Sequence, residues 1–189
     1  MSLIEQPHTR RFTREEYHAM ADLGMFEDQR VELIEGEVVE MPAQRNEHAK
    51  AIRKTDYALR RVFQEGYTLS IQSPLRVNDR SEPEPDIAVL RGDPQEIDEH
   101  PTTALLVVEV SDTTLLFDRQ KKPSLYAEAG VPEYWIVNLV DLRLEVRRTP
   151  RCDTNGIWGY ADTRLFHVGD VVSPVSAAHA SVSVADLLP

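Results

Sequence analysis

The sequence predicts an α/β (α+β) fold, a mixed central β-sheet flanked by helices, in a single domain over residues 1–189. Three observations carry this. Helical and strand periodicities follow one another in the order helix, hairpin, helix, three or more strands, helix and two more strands. The 189 residues fit one domain of ordinary size with a proper core. Apolar residues are 41% and charged residues 28%, values of a globular protein.

The elements follow in order. "FTREEYHAMADLG" has Thr13 at an N-cap and Glu16 three residues on, the reciprocal spacing of a capping box, and Gly24 closes this short helix. "RVELIEGEVVEM" turns at Glu35-Gly36 and reads as a hairpin ending before Pro42, with Glu32 at a polar position. A longer helix is expected from Asn46 to Glu65, stopped at Gly66. Ile52, Thr55, Leu59 and Val62 recur on it at helical spacing, and His48, one turn before Ile52, points inward. The strands "YTLSIQSPLRV", "DIAVL" and "ALLVVEV" come next, with an acidic, proline-bounded loop from Arg91 to Pro101 between the last two. A helical piece is expected around Ser124 to Ala129, then the strands "EYWIVN" and "LRLEVRR" about a turn near Asp141. Beyond Pro150 the pattern weakens to short strands such as "RLFHV" and "VVSPV".

Composition narrows the function classes. No apolar run approaches the roughly 20 residues of a membrane helix. The N-terminal "MSLIEQPHTRR" lacks the apolar core of a signal peptide, and the lone Cys152 cannot form an intrachain disulfide, so a cytoplasmic location is expected. A glycine-rich phosphate loop and a Ser-His-Asp pattern are both missing, which disfavours NTPase and acyl-transfer chemistry. The net charge of −11 argues against broad adhesion to nucleic acid.

Glu109 stands in the middle of a valine run, where a carboxylate costs several kcal/mol unless it is paired, hydrogen-bonded or holding a metal. Strand alternation puts it on one face with Val107 and Ser111. The preceding strand begins at Pro85-Asp86, and if the two strands pair, as consecutive strands often do, their carboxylates meet. Converging carboxylates repel unless they share a proton or a cation, and magnesium takes oxygen ligands from one or two carboxylates plus water. Against this stand plainer readings. Asp86 also fits a turn aspartate, Glu109 a buried ion pair with an arginine, "DRQKK" a solvated charge cluster, His48 a satisfied core histidine and Glu32 the polar side of a hairpin.

Pro85-Asp86, then "EVS" at Glu109 to Ser111, then "DRQKKPSLYAEAGVPEYWIVN" resemble the Uma-type endonucleases, a branch of the PD-(D/E)xK restriction-endonuclease-like superfamily. The N-terminal "RVELIEGEVVEMPA" with its following histidine fits the same branch. The superfamily pattern places a lysine two residues after the glutamate, and here that position is Ser111. The resemblance implies that the ammonium comes from the following helix, at Lys122, four residues before Tyr126. Lys121 would point about a hundred degrees away on a helix. Asn138 also departs from the branch, which tends to carry an aspartate there.

The resemblance therefore implies a restriction-endonuclease-like fold and a metal-dependent endonuclease acting on DNA. Asp86 and Glu109 would hold Mg2+ or Mn2+, Lys122 would supply the cation, and Glu32 and His48 would act at the outer site. Lys50, Arg53, Lys54 and Arg61 share a face of the long helix, with Arg60 beside them, a basic strip suited to weak, salt-sensitive DNA contact. A homodimer is expected, because cutting both strands is simplest with two sites, and "EYWIVN" and "LRLEVRR" with Trp135 offer an apolar edge. The competing class is a noncatalytic interaction module that keeps the fold.

Overall fold

Thr13 caps the first helix as its spacing requires: its hydroxyl accepts from Glu16 N and the Glu16 carboxylate accepts from Thr13 N. This helix, α1 (Arg14–Asp22), opens the computed structural model, which describes residues 8–189. The signal-peptide expectation falls partly on residues 1–7, outside the described residues. The hairpin β1 (Val31–Ile34) and β2 (Glu37–Glu40) follows. Its turn has positive φ at both Glu35 and Gly36, and a Cβ at Gly36 would come within 2.7 Å of Arg11 Cβ, so only glycine fits.

Helix α2 (Asn46–Val62) ends three residues short of the expected Glu65, because Phe63 leaves helical geometry and is buried. Strand β3 (Tyr67–Ile71) stops where Gln72 takes φ 48, so "QSPLRV" is not strand. Strands β4 (Ile87–Arg91) and β5 (Leu106–Ser111) flank the acidic loop, which holds a short turn of 3-10 helix at Pro94–Glu96. The sequence reading missed α3 (Leu115–Gln120), and α4 (Lys122–Glu128) begins two residues before the expected Ser124. Pro123 lies in the first turn of α4, where a missing N–H costs nothing, and Lys122 is the helix's first residue. Strands β6 (Glu133–Asn138), β7 (Arg143–Cys152) and β8 (Trp158–His167) complete the main sheet. The ten-residue β8 replaces the short "RLFHV"; its exposed polar positions hid it. A small ladder of β9 (Val171–Val172) and β10 (Val182–Ser183) closes the chain.

The main sheet has the order β3-β4-β5-β6-β7-β8 and is mixed: β5 and β6 run parallel, every other neighbouring pair antiparallel. Two apolar layers cover it. Val108 and Val110 face Ile52 and Leu59 of α2 with Trp135, Val184 and Leu187. Val107 faces the other layer, with Leu75, Leu115, Tyr126 and Tyr134. The alternation along β5 thus sends Glu109 toward α3 and α4. The apolar edge expected at Trp135 is not an edge: β6 and β7 lie inside the sheet and Trp135 is fully buried. Among the described residues, no helix is long and apolar enough to cross a membrane.

Candidate active site

The antiparallel register pairs Ile87 with Val108, which brings Asp86 opposite Glu109. The carboxylates converge as the strand reading expected. Asp86 N donates to Glu109 Oε2 at 3.3 Å, and Val110 N donates to Asp86 Oδ2 at 2.9 Å. Asp86 Oδ1 accepts from Gln72 Nε2 at 3.1 Å and lies 3.4 Å from His48 Nε2, which α2 carries in from its first turn.

Lys122 enters from the first residue of α4 and is 1% exposed. Its Nζ stands 2.6 Å from Glu32 Oε2 and 3.1 Å from Glu109 Oε1. Tyr126, one turn on, donates its Oη to Glu109 Oε1 at 2.5 Å. Glu32 is therefore not a solvated hairpin residue; β1 buries it beneath α4 as a partner of Lys122. Lys121 points away, exposed, and pairs with Glu35 at 3.2 Å. Ser111 donates to Asp118 Oδ2 at 2.5 Å, and Thr114 donates to the same oxygen at 2.7 Å.

Burial and surplus negative charge set the ionisation. Burial pushes Glu109 up to about 8; Lys122 opposes this and Asp86 adds to it. Burial alone would lower Lys122, but Glu109, Glu32 and Asp118 outweigh it and raise it. The two shifts compete, since Glu109 raises Lys122 only while it is charged. The cation is the firmer of the two, because Glu32 and Asp118 hold it charged in either state of Glu109. Burial would also lower His48, but the hydrogen bond and charge of Asp86 leave it above its ordinary value. Burial raises Asp118 and Glu84. Tyr126 is raised well above its usual range by burial and Glu109, so it stays a donor.

Glu32, His48, Asp86, Glu109 and Asp118 line a cavity of about 30 Å³, the size of one water or ion, together with Arg30, Glu84 and Asp112; Lys122 and Tyr126 hold Glu109 without lining it. The donor set fits a hard cation that keeps most of its water: two carboxylates converge beside the cavity, and acids outnumber cations around it. No group of three or more His, Cys, Asp or Glu forms a ready-made cage among the described residues.

Residues 14–185 match the family model of Uma2, described as putative restriction endonuclease. The chain belongs to the Uma2 family. A solved structure with the same fold is that of a putative nuclease belonging to DUF820 from Anabaena variabilis ATCC 29413. It superimposes with a TM-score of 0.71 at 17% identity, covering 93% of this chain and 97% of that one, a likeness of fold. Comparison with curated proteins gives no significant match.

Some members of this Uma2 site escaped sequence reasoning. Asp118 and Tyr126 stand four residues before and after Lys122, and all three are buried, a spacing that could have marked the two beside the expected lysine. The plainer reading of "DRQKK" as a solvated cluster holds for exposed Gln120 and Lys121 but not for Asp118 and Lys122, which are buried. Gln72 and Arg30 carried no signal. The basic strip is only partly free: Lys50, Arg53 and Arg61 are exposed, but Lys54 donates to Ala185 O at 3.1 Å and to Leu188 O. Lys54 therefore ties α2 to the C-terminal segment. Arg60 pairs with Asp56 one turn back at 2.8 Å.

Proposed function

We propose that the chain is a metal-dependent endonuclease that hydrolyses DNA phosphodiester bonds in the cytoplasm, with Asp86 and Glu109 as ligands of Mg2+ or Mn2+. The observation that carries this reading is the convergence of Asp86 and Glu109 across β4 and β5 with the Lys122 ammonium 3.1 Å from Glu109. When bound, the ion supplies an acidified water and offsets charge on a phosphodiester oxygen.

The chain's own residues prepare that chemistry. Lys122 and Tyr126 both hold Glu109 Oε1, which fixes the carboxylate toward the cavity. Lys122 places a fixed positive charge behind the Glu109 carboxylate, so its field acts on charge developing at the cavity from its position beside that ligand. Glu32 keeps that ammonium in place and charged. His48, with a proton on Nε2, orients Asp86. Exposed Lys50, Arg53 and Arg61 on α2 are suited to DNA phosphates, and with a net charge of −11 their contact is weak and salt-sensitive.

Incubation with supercoiled plasmid and single-stranded DNA tests the reading. Cutting is expected with magnesium or manganese and none with EDTA. Asp86→Asn and Glu109→Gln should each lower manganese affinity in calorimetry, because each removes a charged oxygen ligand. Intact plasmid under every metal, with manganese affinity unchanged in both variants, would remove the nuclease reading in favour of an interaction module.

A further inference from the structure

Seven arginines among the described residues are half-buried. Arg14, Arg76, Arg119, Arg143 and Arg148 each pair with a carboxylate. Arg147, on β7, does not, but it takes no part in lining the acidic cavity. Arg30 is the remaining one. It lines the cavity with Glu32, His48, Glu84 and Asp86, yet its guanidinium pairs with no carboxylate among the described residues. Its charge is nonetheless felt by both His48 and Glu84. Its backbone is fixed, because Arg30 O accepts from Met41 N at the base of the β1–β2 hairpin.

The other cations of the site are committed. Lys122 is 1% exposed between Glu32 and Glu109, and His48 faces Asp86. A phosphate approaching a cavity ringed by carboxylates is repelled unless a cation stands at the rim. A guanidinium there offers a planar fork that matches two phosphate oxygens. We propose that Arg30 binds the non-bridging oxygens of a substrate phosphodiester at the mouth of the cavity, an assignment that rests on the nuclease reading above for the identity of the ligand.

The experiment measures binding of a fluorescein-labelled DNA duplex by anisotropy, with calcium replacing magnesium, for wild type, Arg30→Met and Arg30→Lys. Manganese affinity by calorimetry and Tm are read on the same proteins. Losing one charged hydrogen-bonding group should weaken DNA binding of Arg30→Met by about tenfold to a hundredfold. Arg30→Lys should fall between, while manganese affinity and Tm stay at the wild-type level. DNA binding by Arg30→Met at the wild-type level, or a parallel loss of manganese, would overturn the assignment. A wild type that binds the duplex through Arg30 but never cuts removes the nuclease reading and leaves this contact standing. A wild type that cuts while Arg30→Met binds normally removes this inference alone. A wild type that binds no duplex removes both.

Discussion

Lys122 is buried between two carboxylates, and this makes it a structural residue as well as a candidate for chemistry. Replacing it by methionine leaves Glu32 and Glu109 facing each other without a counter-charge, a loss of about 3–5 kcal/mol for a broken buried pair. We expect Lys122→Met to lower stability by that order and to cut plasmid nicking by about 10²–10³-fold. Adding Glu32→Gln removes one stranded charge, so the double variant should regain stability in urea unfolding without regaining cleavage. Recovery of both would make Lys122 purely structural. Lys121→Met, which breaks only an exposed pair with Glu35, should change little. At this scale the sequence was readable where a residue contradicted its surroundings, as Glu109 does among valines. Tyr126 and Asp118 did not stand out, because a tyrosine or a helix aspartate is ordinary until its partners across the sheet are known.

Helix α3 shows why elements were harder to read than residues. Its six residues are too few for a periodic signal, and its helical character depends on what it packs against. Arg119 reaches from α3 to β7 and donates to both oxygens of Glu145, at 3.2 and 3.1 Å from Nε, while Asn138 Nδ2 donates to Glu145 Oε1 at 2.8 Å. Asn138 is where the Uma-type pattern tends to an aspartate, and an amide there donates to Glu145 where an aspartate would repel it. Burial alone would raise the Glu145 carboxyl, but the hydrogen bonds of Arg119 and Asn138, with the charges of Arg119 and Arg143, hold it below its usual range. A carboxyl lowered on folding contributes stability above its unfolded pKa, about 4.3, and loses it as pH falls through the lowered folded value. Wild type should therefore exceed Glu145→Gln in Tm at neutral pH, and the gap should close below about pH 4. An equal gap at neutral and acid pH would mean that the pair contributes shape and not charge.

For the molecule as a whole, the strand order decides which surface a second copy can use, and this was the least readable property of the sequence. "EYWIVN" sets apolar Tyr134 and Ile136 on one face and Trp135 and Val137 on the other, a mark of an interior strand, but its neighbours are set by long-range pairing and so the sequence alone suggests an edge. The edges are β3 and β8. Strand β8 is ten residues long and mostly half-buried or exposed, an open row of backbone groups that invites pairing with another chain. Leu165, 48% exposed, lies on it, and the β7–β8 register sets exposed Leu142 beside Val168 at its end. In a two-fold antiparallel pairing of β8 centred on Thr163, Asp162 of one copy faces Arg164 of the other, and the pair occurs twice. We expect a homodimer of this geometry, which would give a nuclease two sites for two strands. Arg164→Asp would set like charges opposite each other and should yield monomers in light scattering at roughly tens of micromolar, where like pairs across strands are destabilising. Exchanging the two, Asp162→Arg with Arg164→Asp, restores the complementarity and should restore the dimer. A monomeric wild type would remove the dimer, and a dimer indifferent to both variants would place its interface elsewhere than β8.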